Sequence, residues 1–192
     1  MTDLTEAIKI IKEGGIVIFP TDTAYGIGCR IDRPESVKRL FKTRKRPESQ
    51  ATPILVDSLS MAQNYWHSPL PDEIRKLAQK YWPGALTVIY DCKTEKMPSL
   101  VRGNGKTLGI RMPDHIIPLE LIKSAGVPIL GTSANFHGQK TPYKYEDLDP
   151  ELIKLVDYVI PGECQTGKIS TVIDCSVTPW KIIRQGAIKI EL

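Results

Sequence analysis

Four stretches of this 192-residue chain place small hydroxyls or a cation where an apolar run begins or ends. Thr21 and Thr23 follow Ile16-Val17-Ile18-Phe19-Pro20, and Arg111 closes Thr107-Leu108-Gly109-Ile110. Thr132, Ser133 and Asn135 follow Pro128-Ile129-Leu130-Gly131, and Ser170 and Thr171 open a run through Val172 and Ile173. Ligands of open α/β sheets bind outside strand ends. Hydroxyls, an amide and a guanidinium gathered there suit a polar, anionic ligand, although one hydroxyl alone reads as a turn or cap. A fifth feature is the basic cluster Lys42, Arg44, Lys45 and Arg46, ended by Pro47. It reads either as cations complementing a helix C-terminus or as guanidinium forks for a polyphosphate.

Other patterns offer less. Arg102-Gly103-Asn104-Gly105-Lys106-Thr107 looks like a phosphate loop, but GxxxxGK[ST] needs glycine where Leu100 stands. A strand-like run follows it, so no helix N-terminus would face a phosphate. Gly26-Ile27-Gly28 lacks the third glycine of a dinucleotide fingerprint. His67, His115 and His137 are isolated, and Cys29, Cys92, Cys164 and Cys175 form no CxxC pair. They read as reduced thiols of a cytoplasmic protein without a resident metal site. No Cys–His or Ser–His pair stands in motif context, which argues against a covalent enzyme intermediate.

The elements that must position these groups alternate early and cluster late. Residues 2–15 read as a helix capped by Thr2 or Asp3 and stopped by Gly14-Gly15. A strand at 16–19 follows, then a helix over 33–46 and a strand at 53–57. A helix over 71–82 stops at Pro83-Gly84, a strand covers 85–91, and 92–106 is a polar loop. A strand over 107–112 precedes a helix after Pro118 and a strand at 127–131. Residues 137–150 read as a mobile polar flap, followed by a short helix from Glu151 and strands near 158–160, 170–174 and 180–184. This order argues α/β with a twisted, mixed, open sheet flanked by helices. The length fits one domain over 1–192. Composition is ordinary, with 41% hydrophobic and 25% charged residues, and the net charge of +4 suits a nucleotide or RNA. No run is long and apolar enough to span a membrane.

Taken in order, PTDTAYGIG, KRPESQ, TLGIRMP, GTSAN, STVID and IIRQGAI resemble the YrdC-like threonylcarbamoyl-AMP synthases, over about residues 5–190. The resemblance implies a twisted α/β sheet around a large concave, positively charged cavity. It implies a nucleotidyltransferase that converts ATP, bicarbonate and L-threonine to threonylcarbamoyl-adenylate and pyrophosphate. That product serves tRNA threonylcarbamoylation, with tRNA and the other modification proteins as downstream partners. By motif position Thr23, Arg111, Gly131 and Ser170 would meet threonine. Arg46, Gln50, Thr107, Ser133, Asn135, Thr141 and Arg184 would meet ATP. Arg46, Arg184 and Arg44 would stabilise the charge of transfer, with Mg²⁺ held mainly by the ATP phosphates.

The chain departs from the family pattern in places. Lys-x-Arg-Pro appears as Arg44-Lys45-Arg46-Pro47, so either Arg44 or Lys45 stands in for the lysine. Asn-Pro-Leu is replaced around Gln50-Ala51-Thr52-Pro53, Leu55 stands where many members have histidine, and Arg-Pro-Gly is Arg184-Gln185-Gly186. Longer members carry a second C-terminal domain that this sequence does not reach. Asp22 reads as a cap, a support for a neighbour or an acceptor for an ammonium, and Tyr25 as a wall. Two other readings stand beside this one. An RNA-binding module would fit the basic cluster, but aromatics are only 7% and no stacking motif is present. A carbamoyl-transfer domain like that of hydrogenase maturation proteins would use carbamoyl phosphate, but the accompanying zinc-finger cysteines are missing.

Overall fold

The computed structural model describes residues 3–190. Among them are six helices: α1 (Thr5–Glu13), α2 (Pro34–Thr43), α3 (Leu59–Gln63), α4 (Asp72–Tyr81), α5 (Ile116–Ala125) and α6 (Pro150–Ile153). The strands are β1 (Val17–Phe19), β2 (Gly26–Gly28), β3 (Ile54–Leu55), β4 (Leu86–Asp91), β5 (Thr107–Arg111), β6 (Ile129–Leu130), β7 (Thr132–Ser133), β8 (Tyr158–Val159), β9 (Thr171–Asp174) and β10 (Lys181–Arg184). They form two mixed sheets, not the one sheet expected. One has the order β7-β2-β1-β8 and the other β10-β9-β4-β5-β3-β6. The chain crosses between them at Gly131, which separates β6 from β7.

Local chemistry explains most boundaries. Asp3 Oδ1 accepts the Thr5 amide at 2.9 Å, while Thr2 lies outside the described residues. Gly14 closes α1 in a left-handed conformation, φ 94°. α5 starts at Ile116, two residues before Pro118, because His115 caps it: Ile117 N donates to His115 Nδ1 at 3.2 Å. Proline in a first turn removes an N–H that has no helical partner anyway.

β1 is buried on both faces, which is why its run is continuously apolar. Val17 and Phe19 pack with Ala7 and Ile11 of α1 and Leu121 and Ile122 of α5. Ile16 and Ile18 belong to the larger core with Tyr25, Ile27, Trp66, Val88 and Ile110. β2 is the strand its own composition hid. A Cβ at Gly28 would strike the Leu130 carbonyl, and one at Gly26 would lie 2.9 Å from the Phe19 ring. These glycines therefore let neighbouring strands approach.

Candidate functional site

Several strand ends converge on one cavity of about 220 Å³. β4 runs parallel to β9 and antiparallel to β5, and β10 is antiparallel to β9. This brings Thr87 near the start of β4, Ser170 before β9, and the last residues of β5 and β10, Arg111 and Arg184, to one end of the larger sheet. The turn after β1 supplies Thr21, Thr23, Ala24 and Tyr25, and the crossover supplies Gly131, Thr132 and Ser133. Arg46 and Thr141 complete the polar lining. Gly131 is required there, because a Cβ would run into the Leu55 side chain.

Arg111 is the most constrained cation. Its Nε donates to Gly84 O at 3.0 Å, Nη1 to Thr23 Oγ1 at 2.7 Å and Nη2 to Asp22 Oδ1 at 2.5 Å. One N–H on each terminal nitrogen is left without a partner among the described residues. Thr21 Oγ1 accepts from the amides of Thr23 and Ala24 and donates to Ala24 O at 2.7 Å, so in its 3.0 Å pair with Thr23 Oγ1 the Thr23 hydroxyl donates. Ser170 Oγ lies 3.1 Å from Thr87 Oγ1 and 3.0 Å from Arg184 Nη2. Arg184 also donates to Ser170 O through Nε and Nη2, which fixes it at the rim. Arg46 donates to the carbonyls of Gln50 at 3.1 Å and Ala51 at 2.5 Å. Burial lowers the pKa of all three arginines; Asp22 opposes the shift at Arg111, and Arg111 adds to it at Arg184. Three cations in a partly desolvated cavity with no lining carboxylate among the described residues are stabilised by an anion.

Eight of the twelve residues given substrate or charge-stabilising roles by the resemblance thus meet: Thr23, Arg46, Arg111, Gly131, Ser133, Thr141, Ser170 and Arg184. Four do not line the cavity. Gln50 is exposed, and only its carbonyl serves the site, through Arg46. Thr107 sits at the far end of β5, about 13 Å along the strand from Arg111. Asn135 is buried and donates through Nδ2 to Gln139 O at 2.7 Å. Arg44 is 2% exposed and turned into the protein, donating to Asn135 O at 3.0 Å, Thr132 Oγ1 at 2.9 Å and Asn135 Oδ1 at 3.2 Å. Lys45 takes a left-handed φ of 53° and sets Nζ 4.7 Å from the Phe136 ring centroid, outside the cavity lining. Of the basic cluster only Arg46 reaches the cavity.

The segment expected to be a mobile flap touches the turn after β1 and is braced internally. Tyr25 N donates to Pro142 O, the Tyr143 and Lys144 amides donate to Asp147 Oδ2, and Tyr145 packs edge-on against Tyr25. Thr87 was missed. Its sequence signal was a hydroxyl in an otherwise apolar strand, on the opposite face from Leu86 and Val88.

The fold is mixed α/β, and arginines and hydroxyls line the cavity at its strand ends. The chain belongs to the Sua5/YciO/YrdC family, whose model, described as telomere recombination, matches residues 9–186. It is 33% identical over 98% of its length to a threonylcarbamoyl-AMP synthase of Bacillus subtilis, covering 54% of that protein. The fold matches Pyrococcus abyssi Sua5 complexed with L-threonine at a TM-score of 0.88, 32% identity, and coverage of 95% of this chain and 54% of that one. It matches Escherichia coli YciO at a TM-score of 0.84, 28% identity, and coverage of 95% and 88%. The chain thus spans about half the length of the first curated relatives it matches.

Proposed function

We propose that this chain is an L-threonylcarbamoyladenylate synthase, a nucleotidyltransferase that joins L-threonine, bicarbonate or CO₂, and ATP and releases pyrophosphate. The observation that carries the reading is that the Arg111–Thr23 carboxylate clamp and the cations Arg46 and Arg184 share one cavity. The relative named threonylcarbamoyl-AMP synthase and the threonine complex of the P. abyssi protein support it. The cavity is smaller than the ~300–1,000 Å³ of drug-sized ligand sites.

Arg111 takes the threonine carboxylate, and the hydroxyls of Thr23 and Ser170 orient the rest of the amino acid. The amine adds to CO₂ with loss of a proton, giving a carbamate. A carbamate oxygen then attacks the α-phosphorus of ATP in line, and the bond to the bridging oxygen breaks as pyrophosphate leaves. Arg46 and Arg184 neutralise the charge that grows on the departing phosphates. Holding two weakly reactive partners in line accounts for up to about 7–11 kcal/mol of the barrier. The wall offers hydroxyls and guanidinium groups, and the nearest carboxylate, Asp22, is engaged with Arg111. This donor set fits Mg²⁺ arriving on the nucleotide, where it supplies further charge neutralisation.

The product would pass to cytoplasmic tRNA modification, with tRNA and its threonylcarbamoylation proteins downstream. No helix among the described residues is long and apolar enough to cross a membrane. The reading is tested by incubating the protein with ATP, Mg²⁺, L-threonine and bicarbonate and examining the products by mass spectrometry. Threonylcarbamoyl-adenylate is expected. Its absence, with carbamoyl phosphate turned over instead, would favour the carbamoyl-transfer reading.

A further inference from the structure

The cavity wall presents Arg46, Arg111 and Arg184 and, among the described residues, no carboxylate. An α-amino acid brings a carboxylate that these groups attract and an ammonium that they repel. A wall with that charge alone would favour a plain hydroxy-acid anion over an amino acid. One negative charge stands just behind it. Asp22 is 3% exposed and places Oδ1 2.5 Å from Arg111 Nη2.

The turn does not need this carboxylate for its own geometry. Thr21 Oγ1 accepts the Thr23 and Ala24 amides, and the Asp22 carbonyl, not its carboxylate, accepts from Thr166 N. Among the described residues the Asp22 side chain has Arg111 as its one hydrogen-bond partner. A buried charge retained for a single partner that lines a ligand cavity acts on what that partner binds.

We propose that Asp22 is a specificity-determining residue that makes the cavity select the zwitterion of its amino-acid substrate over the corresponding hydroxy-acid anion. Its carboxylate balances Arg111, so the substrate carboxylate meets a donor fork while the substrate ammonium meets a reduced positive field. This rests on the threonine-binding reading. It acts through the charge of Asp22 and goes beyond any role in holding Arg111 still.

The test is calorimetric titration of L-threonine and of 3-hydroxybutyrate, which is threonine without its amino group, into the wild type, Asp22→Asn and Asp22→Glu. The wild type is expected to prefer threonine by at least about tenfold, the scale of one charge–charge coupling at a partly buried site. Asp22→Asn keeps the size and an acceptor but loses the charge, and is expected to erase most of that preference. Asp22→Glu is expected to restore part of it. An unchanged preference in Asp22→Asn, with both ligands weakened alike, would reduce Asp22 to a support for Arg111 and overturn the proposal. Should Asp22→Asn fail to fold, the wild type alone decides, since equal affinity for the two ligands overturns the proposal. A wild type that binds no threonine refutes the underlying synthase reading instead, so the two failures are distinguishable.

Discussion

Arg44→Lys separates a cation that holds a loop from one that holds a phosphate. Arg44 is buried without a carboxylate in ion-pair range among the described residues. Burial, and then the neighbouring charge of Arg46, brings its pKa down to about 10. Its guanidinium spans Thr132 Oγ1, Asn135 O and Asn135 Oδ1, bracing from behind the loop that presents Thr132 and Ser133 to the cavity. A lysine keeps the charge but not the planar fork, and its ammonium is more strongly hydrated. At least one buried acceptor loses its partner, at about 1–3 kcal/mol. With the added cost of desolvating an ammonium, the expected loss is about 3 kcal/mol. For a chain of this size that lowers Tm by roughly 6–12 °C. The assay is thermal unfolding beside KM for ATP, with Asn135→Ala and the double variant completing a cycle. The penalties should be non-additive, because both variants break the Arg44–Asn135 Oδ1 bond. A Tm within about 2 °C of wild type, together with an ATP KM raised about tenfold or more, would refute the bracing role and return Arg44 to the phosphate.

Three further outcomes are expected. Arg46→Ala should lose most activity, since a charge-assisted hydrogen bond worth about 1.5–3 kcal/mol disappears from the phosphate side; a wild-type kcat/KM would remove Arg46 from the site. Valine should be a worse substrate than serine, because a site that bonds a hydroxyl rejects the analogue lacking it by about 10⁴–10⁵, whereas a missing methyl costs roughly 10–200-fold. Comparable kcat/KM for the two would withdraw the roles given to Thr23 and Ser170. His115 should make stability pH-dependent. Burial holds its pKa below the ordinary 6.5, and its neutral Nδ1 accepts the Ile117 amide. The unfolded chain therefore takes up the proton first, and the stabilisation present above 6.5 is lost as pH falls below it. His115→Asn, a neutral cap, should show a smaller fall in Tm between about pH 7.5 and about pH 5.5, and an equal fall would contradict this assignment.

Strand ends carrying hydroxyls were legible from sequence because apolar runs stop abruptly before Thr21 and Thr132 and one starts abruptly after Ser170 and Thr171. The elements hardest to read were those whose identity depends on a distant neighbour. β2 consists of Gly26-Ile27-Gly28, a poor strand by propensity, and is a strand through its pairing with β1 and β7, where Phe19 and Leu130 leave no room for a Cβ at either glycine. The division into two sheets hangs on the crossover at Gly131, whose local pattern continues a strand. In the basic cluster the direction of each side chain was hidden. Three successive residues point to the protein interior, to Phe136 and to the cavity because the helix ends at Thr43 and Lys45 turns left-handed. Motif position therefore identified Arg46 but could not tell that Arg44 faces the other way. The Arg111–Asp22 pair joins positions 89 residues apart and has no local sequence signal.

The central claim is that the amino acid and the nucleotide react side by side in the Arg111–Arg46 cavity. Pyrophosphate release measured with ATP, Mg²⁺, L-threonine and bicarbonate, and again with threonine or bicarbonate omitted, tests it most directly. Release that requires both, and that falls in Arg111→Lys through threonine KM far more than through ATP KM, is the predicted result. Release at the same rate without threonine and bicarbonate would contradict it.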